Sequence, residues 1–351
     1  GIAEKEKAIY QFEALKNQIN PHFLFNSLNV LSSLAYQDAE KTNLFAKKLS
    51  SVYRYLLTTH ERETVTLQEE MQFVDSYLFL ERIRFGDTLQ IHIEDNKKKV
   101  EQFFKKAEEN QVDCLVFPEM TLTGFSMNVE ETGEKSENQK HFFEEMSKKY
   151  KILTVFGYTE PVPEKRLKEH PDWNHYYNRL GIAENGELKL NYAKIHPFSY
   201  GFEGEYYQGG RKLKSVEWKG TTLGAFVCYD LRFPEIFQIS SEKSEIIFVI
   251  ANWPKSRIDQ WDTLLKARAI ENQVFMVGVN RTGEGDGLHY NGHSAIYSPN
   301  GEAVTTIREE ECLLIGDINP EEIKEMRKTF PMKNDRREEL YIKMWENAPH
   351  Q

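Results

Sequence analysis

Apolar residues between Ile9 and Leu78 recur at helical spacing and show almost no alternation. Ile9, Phe12, Leu15 and Ile19 mark one face before Pro21, and Phe23, Leu24, Leu28, Leu31 and Leu34 continue after it. Leu44, Phe45, Leu49, Val52, Tyr53, Leu56 and Leu57 mark a second helix, and Leu67, Met71, Val74 and Leu78 a third. Helices this amphipathic, on so little chain, cannot bury both faces. Such a hairpin commonly completes its core by pairing with a copy of itself as a four-helix bundle.

Beyond residue 96 the pattern changes to alternating elements. Lys98 to Asn110 reads as a charged amphipathic helix, Val112 to Phe117 as a strand, Ser136 to Tyr150 as a helix and Ile152 to Gly157 as a strand. Tyr176 to Ala183 turns at Asn185-Gly186 and pairs with Leu188 to Ala193 as a hairpin. The apolar run Leu223 to Val227, then Glu245 to Ile250 and Val274 to Val279, read as buried strands, with a helix from about Arg257 to Glu271 between the last two. A second hairpin turns at Asn300-Gly301, and Cys312 to Ile318 closes the series as a strand. Helices mixed with strands and hairpins predict an α/β layered sandwich with parallel and antiparallel pairs. Between the two regions, Leu89, Ile91 and Ile93 alternate with Gln90, His92 and Glu94, which suits an edge strand.

Three short segments end strands on reactive side chains. The strand ending at Val227 delivers the thiol of Cys228 at a carboxyl terminus, where open α/β sheets usually place their chemistry. Amides opening the following helix are expected to lower the thiol pKa and to cradle an oxyanion. By position alone such a cysteine is more often a small buried hydrophobe, and Cys114 and Cys312, inside apolar runs, read as core. Glu119 follows the strand Val112 to Phe117, and Lys194 ends the hairpin strand. A carboxylate, an ammonium and a thiol on one rim make sense for acyl transfer. Glu119 takes the thiol proton and returns it to the departing amine, Lys194 stabilises the oxyanion beside the Tyr229 N–H, and Cys228 holds the acyl group as a thioester. His196 is a competing base, more naturally read as a structural neighbour of Lys194. Asp230 and Arg232 are expected to pair with each other or their surroundings.

Composition narrows the class. The chain has 351 residues, enough for two domains, and a formal charge of −10 that argues against a nucleic-acid or anionic-membrane partner. No apolar run is long enough to span a bilayer, and the opening GIAEKEKAIY has no signal-peptide centre. Three separated cysteines make no disulfide framework and fit a reducing cytoplasm. No metal-ligand spacing is present, and the proposed chemistry needs no cofactor. Gly283-Glu-Gly-Asp-Gly287 reads as a turn and not as a phosphate cradle.

The segments around Glu119, Lys194 and Cys228 resemble those of the nitrilase superfamily, the carbon–nitrogen hydrolases with a Glu-Lys-Cys triad, from about residue 98 to the C-terminus. The resemblance implies an αββα sandwich with Glu119 as base, Lys194 as oxyanion partner and Cys228 as nucleophile. It also implies a second glutamate that orients Lys194, here Glu203 within Phe202-Glu-Gly-Glu-Tyr-Tyr207, with Glu205 as the competing assignment. Ala251-Asn-Trp-Pro254 and the run after Cys228 look most like the omega-amidase group, so Tyr229 and Trp253 are expected to line a compact pocket for a small ω-amide of a dicarboxylic acid.

Over about residues 10–95, Gln18-Ile-Asn-Pro-His-Phe-Leu-Phe-Asn26 with Leu67-Gln-Glu-Glu-Met71 and Tyr77 to Phe85 resembles the dimerisation and phosphoacceptor segment of bacterial sensor histidine kinases with an NPHFLFN motif. That likeness makes His22 the phosphoacceptor, after a proline-marked helix break. The nucleotide domain of such a kinase does not follow. The first strand expected of a nitrilase-like fold is also missing, or replaced by Leu89 to Asp95. The chain therefore reads as a junction: an all-α helical hairpin over 1–95 and a hydrolase over 96–351. Three functions follow: a cysteine amidase on a homodimer or higher homo-oligomer, a signalling protein using His22, or an inactive fusion that only dimerises.

Overall fold

A computed structural model describes residues 24, 27, 28, 31, 32, 35, 39–59, 66–127, 129–201, 203–285 and 288–348. His22 and the face from Ile9 to Ile19 lie outside the described residues, as do the side chains of Leu67, Met71, Val74 and Leu78. The chain divides into two compact units, Gly1–His92 and Ile93–Gln351.

In the first unit, helix α1 (Ala39–Thr59) and the start of α2 (Leu67–Glu109) bury Phe45, Leu49, Val52 and Leu80 together. Leu31, Tyr53, Leu56 and Phe73 pack on this cluster, and the Tyr55 and Phe73 rings stack 4.5 Å apart. Phe45, Leu49, Val52 and Leu56 follow the helical period and form one stripe. Leu44 and Leu57, expected on the buried face, are exposed because each sits one residue, about 100° of turn, off that stripe. Thr66 caps α2 in a reciprocal box: its hydroxyl accepts from the Glu69 N–H at 3.2 Å, and the Glu69 carboxylate accepts from the Thr66 N–H at 2.9 Å.

Helix α2 then runs unbroken to Glu109, which corrects two expectations. Leu89 to Asp95 is helical and not an edge strand, and Lys98 to Asn110 is the end of this helix and not a separate one. Extending a helix already nucleated on both sides costs less than ending it and starting another, and three alternating apolar residues are too few to reverse that balance.

Among the described residues the second unit holds a four-stranded sheet, a five-stranded sheet and a separate two-stranded hairpin. The first has the order β1 (Cys114–Val116), β2 (Leu153–Pro161), β3 (Tyr176–Glu184), β4 (Glu187–Ala193), with β1 parallel to β2 and the rest antiparallel. Between β1 and β2 lie the short helix α3 (Val129–Glu134) and α4 (Ser136–Tyr150), and α5 (Glu164–Glu169) precedes β3. The second sheet comprises β5 (Ser215–Trp218), β6 (Thr221–Val227), β7 (Ile246–Ala251), β8 (Phe275–Asn280) and, after the hairpin β9 (Thr282–Gly285) and β10 (Leu288–Asn291), β11 (Ala295–Tyr297). Its order is β11-β8-β7-β6-β5, parallel only among β6, β7 and β8. Helices α6 (Pro234–Ser240) and α7 (Ile258–Asn272) connect the parallel strands, and α8 (Glu321–Thr329) and α9 (Glu338–Glu346) end the unit.

Buried side chains of both sheets belong to one core, with Leu180, Ile182 and Tyr192 from the first sheet and Phe226, Val249 and Ile250 from the second. Phe143 of α4 stacks on Phe156 of β2 at 4.2 Å, and Phe237 of α6 lies 4.2 Å from Phe226 of β6. Helices on the outer faces of two packed sheets make the αββα sandwich. Strands β6, β7 and β8 are apolar on both faces because both faces are covered.

Cys312 to Ile318, expected as the last strand, is irregular. A strand needs a neighbour to take its backbone bonds, and β1 and β11 stand as the edges of their sheets with no further strand beside them among the described residues. A cavity of about 370 Å³ opens there, lined by Phe103, Cys114, Val116, Val279, Ile296 and Leu314.

Candidate active site

Each expected reactive residue sits just past the end of a strand. Beyond β1, the chain turns at Pro118 and buries Glu119. Gly157 of β2 makes the turn possible: a Cβ there would stand 2.3 Å from the Met120 nitrogen and 2.7 Å from the Glu119 Cα. Lys194 follows β4 directly and is 2% exposed, its N–H donating to the Asn178 carbonyl at 2.9 Å. Cys228 follows β6 in a left-handed conformation, φ 46°, which a side chain adopts only at a cost in strain.

The structure brings Glu119, Lys194 and Glu203 into contact. The Lys194 ammonium donates to Glu119 Oε1 at 3.1 Å and to Glu203 Oε2 at 2.8 Å, and all three are buried. Glu203 also accepts from the Phe198 N–H at 2.6 Å, whereas Glu205 is exposed. Glu203 therefore occupies the position for which Glu205 was the alternative. Burial opposes the charge of Lys194, but the carboxylates of Glu119 and Glu203 outweigh it and raise its pKa well above the ordinary lysine value. Burial raises the Glu203 carboxyl, and Lys194 counters only part of that.

Cys228 corrects an expectation. Burial, followed by the charge of Glu119, pushes its thiol well above the ordinary pKa, with Lys194 offsetting only part. The residue opens a 3-10 turn, Cys228–Arg232, and α6 begins only at Pro234, so no regular helix N-terminus faces the sulfur. The resting thiol is protonated and needs a base.

Two amides to which the sequence assigned no role complete the cluster. Asn252, after β7, donates its N–H to Glu119 Oε2 at 2.8 Å and its side-chain amide to the same oxygen at 3.1 Å. Asn178 of β3 donates to Glu119 Oε1 at 2.6 Å and to Glu203 Oε1 at 2.9 Å.

Asp230 and Arg232 do not pair with each other. Asp230 is fully buried and accepts from the Tyr192 hydroxyl at 2.8 Å, the His196 N–H at 2.9 Å and the Val227 N–H at 3.1 Å. It ties the Cys228 turn to the segment that follows Lys194. His196 faces Asp230 through Nδ1 at 2.9 Å and stacks on Phe233 at 3.8 Å, a structural position. Arg268 of α7 donates to the Leu231 carbonyl at 2.9 Å and holds the same turn from behind.

Tyr229 meets Phe198 edge-on at 4.9 Å, and the Arg232 guanidinium lies 5.9 Å from the Tyr229 ring and 4.8 Å from that of Trp253. Trp253 is 3% exposed and donates its indole N–H to the Arg257 carbonyl at 2.8 Å. The Arg257 guanidinium covers Phe198 at 5.3 Å. Among the described residues no carboxylate forms an ion pair with Arg232 or Arg257. Groups of three or more His, Cys, Asp or Glu that could hold a metal are also absent among them, and no helix there is long and apolar enough to cross a membrane.

Residues 88–328 match the family described as carbon-nitrogen hydrolase, and residues 10–89 match the histidine kinase family. The hydrolase in agr operon of Staphylococcus aureus is 31% identical over 266 residues, 74% of this chain and 96% of that protein. The 2-oxoglutaramate amidase of Bacillus subtilis is 32% identical over 251 residues, 70% of this chain and 93% of that protein. A crystal structure of a CN-hydrolase superfamily protein from Xanthomonas campestris, with an arsenic adduct in its active site, is 30% identical with a TM-score of 0.62, covering 69% of this chain and 91% of that one. With a matching sandwich and a family match over most of its length, this chain belongs to the carbon–nitrogen hydrolase family, a hydrolase of non-peptide carbon–nitrogen bonds preceded by a histidine-kinase-like segment.

Proposed function

We propose that the protein is a cysteine-dependent amidase that converts a small carboxamide to a carboxylate and ammonia. One observation carries the reading: Lys194 grips Glu119 at 3.1 Å and Glu203 at 2.8 Å in a buried cluster whose charges act on the Cys228 thiol. That arrangement supports Glu119 as base, Lys194 as oxyanion partner, Glu203 as the group that steadies Lys194, and Cys228 as nucleophile. As the sulfur attacks the amide carbon, its proton passes to Glu119 and the carbonyl oxygen takes negative charge beside the Lys194 ammonium. Glu119 then protonates the nitrogen, the C–N bond breaks, and ammonia leaves a thioester on Cys228. Water loses a proton to Glu119 and attacks the thioester. The C–S bond breaks, the sulfur regains a proton, and the carboxylate departs.

Arg232, which donates to Gln260 Oε1 at 2.6 Å, and Arg257, neither of them ion-paired to a carboxylate among the described residues, lie beside Tyr229, Trp253 and Phe198 and favour an amide that carries a carboxylate at its other end. The names of the relatives, 2-oxoglutaramate amidase and omega-amidase, point to the same substrate class. In this reading the enzyme is cytoplasmic, where its three free thiols stay reduced, and it works as a homodimer or higher homo-oligomer without a cofactor. Ammonia release from 2-oxoglutaramate and glutaramate tests it: the full chain turns over, and Cys228→Ala lowers the rate at least ~1,000-fold. A fully active Cys228→Ala variant would exclude the thioester route.

A further inference from the structure

Glu119, Glu203 and Lys194 place two carboxylates and one ammonium where water does not reach, and that arithmetic leaves one negative charge uncompensated. Carboxylates crowded around one site tend to share a proton. A shared proton would be fatal here, because a protonated Glu119 cannot accept from the thiol and a protonated Glu203 releases its hold on Lys194.

Asn252 serves Glu119 alone and the Phe198 N–H serves Glu203 alone, whereas the Asn178 side chain serves both carboxylates. Its amide nitrogen donates one N–H to Glu119 Oε1 at 2.6 Å and the other to Glu203 Oε1 at 2.9 Å. Its amide oxygen is buried with no hydrogen-bond partner. A buried amide ordinarily orients so as to satisfy its oxygen, and here the demand of two carboxylates fixes the orientation instead. Turning the amide over would point the oxygen at two negative groups. The backbone carbonyl of the same residue accepts from the Lys194 N–H at 2.9 Å, so Asn178 touches all three members of the cluster.

We infer that Asn178 is a positioning residue: a neutral double donor that keeps Glu119 and Glu203 ionised side by side without adding a second cation to compete for Lys194. A lysine or arginine in its place would supply the missing charge but would draw a carboxylate off Lys194. An amide binds both oxygens and leaves the ammonium shared between them. The titratable groups facing this position are Glu119, Glu203, Lys194, Cys228 and, from the segment before β5, Tyr207. The hydrogen bond from Asn178 is among the contacts that hold the Glu203 carboxyl down against burial.

The inference rests on the amidase reading for the roles of the two carboxylates, and its test is arranged so that the two can fail separately. Asn178→Ala and Asn178→Asp are compared with the wild-type chain by ammonia release from 2-oxoglutaramate between pH 5 and 10. Alkylation of Cys228 by iodoacetamide is followed over the same range, with the modified thiol identified by peptide mass. Asn178→Ala lowers kcat about 10- to 100-fold with KM changed less than about threefold, and moves the acid limb of both profiles up by about one pH unit. Asn178→Asp keeps the shape of the side chain but adds a third carboxylate, so it loses more activity at neutral pH than Asn178→Ala does. A residue that only filled space would show the reverse order, with the isosteric aspartate the milder change, and would leave the pH profiles in place; that result overturns the inference. If the wild-type chain releases no ammonia while the alkylation profile still moves in Asn178→Ala, the substrate reading falls and the role of Asn178 stands. Thermal unfolding of each variant separates a misfolded chain from a mispositioned cluster.

Discussion

Glu119 stands between two regions built in opposite ways. In front of it is a closed polar cluster: four donor contacts, from Lys194, Asn178 and twice from Asn252, occupy its two carboxylate oxygens at 2.6 to 3.1 Å. Behind it is the cavity of about 370 Å³, to whose lining Glu119 and Asn252 also contribute. Strand β1, which delivers Glu119, is three residues long and paired on one side only. A weakly anchored strand thus presents a strongly anchored side chain. The position of the base is set by what it binds across the sandwich, from β3, β4 and β7, more than by the strand that carries it. A fully satisfied buried network specifies geometry, and a loosely filled apolar wall does not.

The largest expected effect comes from breaking the polar side. Lys194→Met removes the only cation among the described residues that contacts Glu119 and Glu203 and leaves two buried carboxylates facing each other. Removing one partner of a buried ionic group costs roughly 3–5 kcal/mol, and urea unfolding at pH 8 should show a loss of that order together with loss of turnover. The sign with pH follows from Glu203. Its folded carboxyl already lies above the ordinary value, and without Lys194 it rises further. The folded state then binds protons that the unfolded state has released, so stability falls as pH rises through this window and is regained on acidification. The stability deficit of Lys194→Met relative to wild type should therefore shrink at pH 5.

A smaller effect sharpens the comparison at the nucleophile. Cys228 is held at φ 46° by Asp230 below it and Arg268 behind it, so strain is stored beside the rigid cluster. Cys228→Ala and Cys228→Gly both delete the thiol, but only glycine adopts the left-handed region freely. The glycine variant should be the more stable of the two by about 1 kcal/mol, allowing for the flexibility that glycine adds to the unfolded chain. Equal midpoints would mean that the turn relaxes once the sulfur is gone.

Sequence reasoning reached the strand ends and stopped at the side chains between them. Glu119 and Cys228 follow apolar runs, readable because strands covered on both faces are uniformly apolar, while Lys194 ends a hairpin strand marked by the Asn185-Gly186 turn. The roles of Asn178 and Asn252 were not readable: an asparagine inside or after a strand has no spacing rule, and each takes its meaning from one carboxylate, Glu119, 59 and 133 residues away in the chain. Burial is a tertiary quantity too, so the direction of the Cys228 shift could not be read from the turn that follows it. Leu89 to Asp95 and Cys312 to Ile318 failed for a shared reason. A short alternating segment becomes a strand only if a neighbour accepts its backbone bonds; the first was absorbed into α2, and the second has no pairing strand beside it among the described residues.

The smallest expected effect probes the loose side. Cys114 lines the cavity, and burial pushes its thiol up to about 12, so it stays a neutral small hydrophobe at working pH. Cys114→Leu puts three additional carbon atoms in place of one sulfur without creating a polar vacancy. Filling unoccupied apolar space typically gains ~0.5–2 kcal/mol, and because β1 is weakly anchored the gain should lie at the lower end. The polar cluster is tied from the opposite side of Glu119, so kcat and KM for 2-oxoglutaramate should be unchanged within about twofold. A variant stabilised in urea unfolding with unaltered turnover would mean that the two regions are energetically independent. A large fall in kcat without loss of stability would instead mean that β1 transmits cavity packing to the base, and that the cluster does not set the position of Glu119 alone.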